Sequence, residues 1–166
     1  MQAWRPETRA RFAQELLRLG EGRHHDPHSL LGLHPCYGQQ RLLTLVPHAE
    51  RVAVDGLGDL VRLEATDLFG LEGNLVLPPH YRLRWWDAHG HEFSQLDPYS
   101  FAPLVSDDDL WLFAAGRHQD AWRFLGAHPR QVDGVDGVVV RCDDGRWRFA
   151  RRVIEEWPPR VPAPAA

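Results

Sequence analysis

The residue types best suited to chemistry fall into three short groups. His24, His25, Asp26 and His28 offer imidazole and carboxylate donors of the kind that hold a transition metal. Such a site needs three or four ligands converging on one point, and adjacent His24 and His25 point apart in an extended segment. The stretch reads instead as a polar linker whose Asp26-Pro27 starts a turn. Cys142 with Asp143 and Asp144 sets a thiol beside carboxylates, but no histidine is spaced to serve as its base. Asp107-Asp108-Asp109 is a carboxylate cluster at the head of an apolar run, where it reads as a helix start facing the positive end of the dipole. No Gly-rich loop follows a strand with the spacing of a phosphate cradle. The residues therefore assign no catalytic group, no metal ligand and no cofactor.

One binding surface stands out. Residues 81–86 alternate with a period of two, placing Tyr81, Leu83 and Trp85 on one face and Arg82, Arg84 and Trp86 on the other. An exposed ring flanked by hydrogen-bonding side chains gives flat apolar area to one face of a sugar at little entropic cost. Trp86 with Arg82 and Arg84 is the candidate patch. The other tryptophans, Trp85, Trp111 and Trp122 among them, are expected to fill the core or seal contacts between helix and sheet.

The elements that would position this patch are mostly strands. Residues 6–19 predict a helix: Pro6 sits at its first turn, Phe12, Leu16 and Leu19 form a stripe, and Gly20 stops it. From Arg41 the period becomes two, with strands at 41–46 and 51–55 joined by the turn 47–50. Further strands are expected at 60–65 and 75–77, separated by the Gly-bearing stretch 67–74. After strand 81–86, the turn 87–90 returns the chain along 91–95. A short helix follows over 106–115, ended by Gly116. Residues 137–142 and 146–150 form one more hairpin, and the Pro-rich end is expected to be mobile. Turns about every ten residues predict an all-β, immunoglobulin-like sandwich with an N-terminal helix and a short helix after the sandwich.

At 166 residues, 43% hydrophobic and 25% charged, the chain has the composition of a soluble globular domain. A net charge of −4 gives no basic footprint for nucleic acid, and no apolar run is long enough for a spanning helix. Its two cysteines are too few for a disulfide scaffold and suit a reducing cytoplasm. All 19 basic residues are arginine, which reads as nucleotide bias.

The chain repeats a phrase. Leu31-Gly32-Leu33-His34-Pro35 returns as Leu125-Gly126-Ala127-His128-Pro129, about 94 residues later, the span of one small all-β module. Only 37 residues follow the second copy, so one complete domain and the opening of another are expected. The predicted organisation is a helix at 1–22, a β-sandwich domain at 23–118, a remnant or start of a second sandwich at 119–150, and a Pro-rich tail at 151–166.

These phrases also carry a family resemblance. Gly22-Arg23-His24-His25-Asp26-Pro27-His28, the first Leu-Gly-Leu-His-Pro, and Leu45-Val46-Pro47-His48-Ala49-Glu50-Arg51-Val52 resemble the N-terminal region of bacterial glycogen branching enzymes. The likeness is densest over Asp97-Pro98-Tyr99-Ser100-Phe101 and Asp109-Leu110-Trp111-Leu112-Phe113. It implies a leading β-sandwich which, in that family, precedes a second sandwich and an α-amylase-class (β/α)8 barrel. Where the second sandwich should open on Trp-Ala-Pro-Asn-Ala, this chain reads Val139-Val140-Arg141-Cys142-Asp143. Branching needs a nucleophilic carboxylate and an acid about 5 Å apart. The barrel that holds them takes roughly 250 residues, more than this whole chain.

The resemblance thus implies a non-catalytic domain serving glycogen biosynthesis; the alternation of 81–86 adds weak α-glucan contact at Trp86, Arg82 and Arg84, and charge and hydropathy point to neither nucleic acid nor membrane as a partner. Two rival readings are a module that docks on a separate catalytic chain or the full-length enzyme through the apolar stretch 138–140, and a gene remnant.

Overall fold

The computed structural model describes residues 1–64, 66–102, 105–123, 127–141 and 147–150, the last two stretches by backbone alone beyond residue 137. The Cys142-Asp143-Asp144 group, the side chains of 138–140 and the Pro-rich end lie outside the described residues.

The fold is antiparallel β. One sheet pairs β1 (Gly32–Cys36), β2 (Gln39–Leu45), β6 (Leu68–Gly73) and β5 (Val61–Arg62), in that order. A second pairs β4 (Gly58–Asp59), β3 (Arg51–Val54), β7 (Arg82–Trp86) and β8 (Glu92–Leu96). Leu42, Phe69 and Leu71 of the first sheet pack against Val52, Val54, Leu83 and Tyr81 at the second, forming the sandwich core. A third, smaller sheet pairs β9 (His128–Val132), β10 (Val135–Arg141) and β11 (Trp147–Ala150). The hairpin expected from 137–142 and 146–150 is thereby present as β10 and β11.

The N-terminal helix is two helices, α1 (Pro6–Arg11) and α2 (Ala13–Gly20), broken at Phe12, whose φ of −104° and ψ of 14° leave the helical region. The predicted stripe still faces inward: Phe12, Leu16 and Leu19 cover Leu43, Leu45 and Leu68 on the outer face of the first sheet. The domain is therefore three layers, helix on sheet on sheet. Arg41 of β2 packs beneath the break. Its buried guanidinium donates to the Leu30 and Ser29 carbonyls at 2.7 and 3.2 Å and lies 4.6 Å from the Phe12 ring centroid. Burial lowers its pKa from the usual arginine value.

Double coverage also accounts for the strand that periodicity missed. The stretch 67–74 read as a connection, yet β6 lies in it with all six residues buried. Covered on both faces, it shows no alternation. Gly70 is required there, since a Cβ would stand 2.5 Å from the Leu42 carbonyl and 2.8 Å from Trp4 Nε1. With β6 in the sheet, 75–77 runs as an irregular crossing, although Leu75 is buried in the core. The expected strand 60–65 reduces to β5, because residues 58–62 turn the corner from the second sheet to the first. The turn 47–50 likewise carries the chain between sheets, β2 pairing with β1 and β6 while β3 pairs with β4 and β7.

A strap closes the helical layer. Gln2 exchanges backbone hydrogen bonds with Glu72 at 3.0 and 2.8 Å. The fully buried Glu72 carboxylate accepts from the Arg5 backbone N–H at 3.1 Å and from Arg5 Nε at 2.6 Å. Burial pushes the Glu72 carboxyl up, but the Thr8 hydroxyl and the Arg5 groups together hold it below the usual glutamate value. A carboxyl lowered on folding contributes stability that is present above its unfolded pKa and is lost as pH falls through the folded one. Glu72→Gln is therefore expected to be less stable than the parent at neutral pH, with the gap closing as the solution is acidified below the ordinary glutamate range. Urea midpoints across an acid series measure this; a gap independent of pH would contradict it.

Candidate functional site

The strand β7 puts its predicted faces where alternation said. Tyr81 and Leu83 are buried, and Trp85 packs half-buried against the core. Arg82, Arg84 and Trp86 share the outer face with Arg51 of β3, which stands opposite Trp86 in the register, and with Glu92 and Ser94 of β8. The structure thus brings the three candidate residues together on one half-exposed surface.

This surface is tied internally by charge. Arg84 Nε lies 2.7 Å from Asp55 Oδ1, and Arg82 donates to the Ser94 hydroxyl at 3.3 Å. The Arg51 guanidinium lies 4.3 Å from the Trp86 ring centroid while holding Asp59 at 2.8 Å. The Asp59 pair raises the Arg51 pKa further, so the cation stays charged throughout. One ring face of Trp86 therefore already carries a cation.

Two of the tryptophans assigned to the interior are not there. Trp111 is 61% exposed and Trp122 66% exposed, with Phe113 exposed between them in sequence. Trp111 and Phe113 ride on α3 (Asp107–Ala114), the short helix expected at 106–115. Ser106 caps it by accepting the Asp109 N–H at 3.1 Å, so the Asp107-Asp108-Asp109 cluster is the capped first turn that the sequence suggested. Large apolar residues on a helix are read as core from sequence, but no described sheet covers these.

Beside α3 lies a cleft of about 630 Å³ lined by Asp109, His118, Arg117, Arg123 and Arg130 among others. His118 Nε2 lies 3.0 Å from Asp109 Oδ1, and its Nδ1 accepts the Asp120 N–H at 3.1 Å. The Ser106 hydroxyl and the His118 ring together hold the Asp109 carboxyl below the usual range. Both nitrogens of His118 are engaged in shaping the loop, which makes the ring a structural tie and leaves no lone pair for general-base work.

The linker 24–28 folds as a turn: Asp26 N–H donates to His24 Nδ1 at 3.1 Å, and a 3-10 turn follows at Pro27–Ser29. A different group converges. Asp87, His89 and His91 offer ligand atoms that all lie within 4.8 Å of one another at the tip of the β7–β8 hairpin. Sequence reasoning absorbed these residues into a turn, where the Asp-x-His-x-His spacing was the available signal.

Among the described residues no helix is long and apolar enough to cross a membrane. The family model for the alpha-1,4-glucan branching enzyme GlgB, N-terminal domain, matches residues 13–99. The chain is 41% identical over 134 residues to the 1,4-alpha-glucan branching enzyme GlgB of Methylococcus capsulatus, covering 80% of this chain and 18% of that protein. It is 37% identical to the Cellvibrio japonicus enzyme over 146 residues, covering 81% and 20%, and 40% identical to that of Rhodococcus jostii over 148, covering 86% and 20%. The chain thus spans about a fifth of the length of these relatives. With the sandwich and its helical layer in place and the match lying across both, the chain belongs to the family of the N-terminal domain of the alpha-1,4-glucan branching enzyme GlgB.

Proposed function

We propose that these 166 residues act as a non-catalytic glucan-contacting module in cytoplasmic glycogen biosynthesis, with the outer face around Trp86 as the contact surface. The observation that carries this reading is the grouping of Trp86, Arg82 and Arg84 on one open sheet face in a chain of the branching-enzyme family. The chemistry of branching itself belongs to two carboxylates on a barrel of roughly 250 residues, and none of the clusters described above has that form.

The contact is weak for a physical reason. A sugar stacking on Trp86 competes with Arg51, which is itself held by Asp59. One shared ring with a few wet hydrogen bonds supplies about −4 kcal/mol, a millimolar dissociation constant. Along a polymer many such contacts act together, so glycogen is a better probe than a short oligosaccharide.

Affinity electrophoresis in glycogen-containing gels tests the proposal. Retardation is expected for the parent, its loss in Trp86→Ala, and a gain in Arg51→Ala, which removes the nearer of two guanidinium groups over the ring, Arg84 standing 5.8 Å from its centroid. No retardation of the parent would overturn the reading.

A second reading has its own observation. Trp111, Phe113 and Trp122, on and after α3, are exposed large apolar side chains of the kind that dock on a catalytic chain or on the full-length enzyme. A mobility insensitive to glycogen, together with complex formation with a full-length branching enzyme in sedimentation, favours that reading.

A further inference from the structure

Asp87, His89 and His91 occupy alternate positions across the β7–β8 turn. The Asp87 carbonyl accepts the Gly90 N–H at 3.0 Å, and Asp87 N–H donates to the His91 carbonyl at 3.2 Å. Gly90 lies between them at a φ of +81°, the left-handed residue that a three-residue hairpin loop of this kind requires. This backbone throws all three side chains to one side.

The carboxylate is oriented before any ligand arrives. Asp87 Oδ1 accepts the backbone N–H groups of His89 and His91 at 2.8 and 2.9 Å. That leaves Oδ2 turned toward both rings, 3.0 Å from His91 Nδ1 and 3.9 Å from His89 Nδ1. The two imidazoles lie nearly parallel, their centroids 5.9 Å apart at an interplanar angle of 27°. Desolvation pushes the Asp87 carboxyl up, but the His91 ring and the two backbone donors outweigh it and hold the group below the ordinary range.

These distances match a specific chemistry. A tetrahedral cation with ligand bonds of 2.0–2.1 Å separates its ligand atoms by about 3.3 Å. The two separations from the carboxylate fall on either side of that value and all three ligand atoms lie within 4.8 Å, so rotation of the exposed imidazoles would close them on one ion. One carboxylate oxygen and two imidazole nitrogens suit zinc and its borderline neighbours, while calcium and magnesium want oxygen alone. The outward Nε2 atoms stay with solvent, since both rings are exposed.

We propose that Asp87, His89 and His91 form a surface site for a divalent transition cation of the zinc class, with three protein ligands and a fourth, exchangeable position open to solvent. This inference is independent of glucan contact at Trp86.

Titration of the full chain with zinc chloride by calorimetry, and with cobalt chloride by visible absorption, tests it. The expected result is one equivalent bound in the micromolar range, with the visible bands of tetrahedral cobalt. Asp87→Asn is expected to weaken binding by about tenfold or more. His89→Ala with His91→Ala should abolish it, and His24→Ala with His25→Ala should leave it unchanged. The substituted side chains are exposed in His89→Ala/His91→Ala, so circular dichroism should be that of the parent. Binding that persists in that double variant, that vanishes in His24→Ala/His25→Ala, or that is absent from the parent would overturn the proposal.

Discussion

Trp4→Ala is expected to cost the domain about 3–5 kcal/mol, seen as a fall in the urea midpoint at unchanged slope. The indole is 1% exposed and donates its Nε1–H to the Leu42 carbonyl at 3.0 Å, across 38 residues of chain. It lies under Arg41, whose guanidinium is 5.3 Å from the ring centroid, and beside Phe12 at 6.1 Å. Truncation leaves a cavity between the helical layer and the first sheet that Gly70 cannot fill, having no side chain to move into it. Against a total of about 5–15 kcal/mol for a domain, such a loss is enough to populate unfolded chain at ambient temperature. Trp4→Phe keeps much of the volume and loses the hydrogen bond, so its cost should be well below that of alanine. A midpoint for Trp4→Ala within error of the parent would refute the three-layer account.

The second large effect belongs to Asp97, fully buried at the start of the Pro98–Ser100 turn. Its Oδ2 accepts the Tyr81 hydroxyl at 2.6 Å and its Oδ1 the Tyr99 N–H at 3.0 Å. Asp97→Ala strands both donors out of reach of water, at about 3 kcal/mol for the pair. Asp97→Asn keeps one oxygen to accept the Tyr99 N–H and can donate its amide to the Tyr81 oxygen in a reversed bond, so it should cost less than alanine. Burial also pushes the Asp97 carboxyl up, against the Tyr81 and Tyr99 hydrogen bonds that pull it down. A carboxyl raised on folding adds stability that is full below its unfolded pKa and lost as pH rises through the folded value. The stability of Asp97→Asn relative to the parent should therefore improve from acid toward neutral pH, the opposite sense to Glu72→Gln. Paired urea titrations of the two variants read the two slopes side by side.

How much of this was legible depended on how many faces of each element meet water. β7 was legible because one face meets the core and the other is half exposed, so Tyr81 and Leu83, with Trp85 packed partly against the core, separate from Arg82, Arg84 and Trp86. β6 was not, because Leu68 and Gly70 lie under the helices while Phe69 and Leu71 lie in the sandwich, and continuous burial leaves no period to detect. The stripe Phe12, Leu16 and Leu19 survived a break in its helix because the sheet beneath, rather than helix propensity, selects those positions. Trp111 and Trp122 were assigned to the interior on residue type, which says what a side chain prefers and not what is available to cover it. The converging Asp87, His89 and His91 depend on a turn geometry that brings alternate residues to one side, and single-residue properties do not encode that.

The Gln2–Glu72 strap bears on how this module should be cut from a gene. The stretch recognised as the family signature starts at residue 13, yet the tryptophan that seals the first sheet stands at position 4 and the arginine that holds its buried glutamate at 5. A recombinant fragment bounded by the signature would keep α2 but discard α1, Phe12 and the Trp4 indole, uncovering part of the outer face of the first sheet and favouring inclusion bodies over soluble yield. The heritable mark and the mechanical unit have different borders, and expression vectors should follow the second.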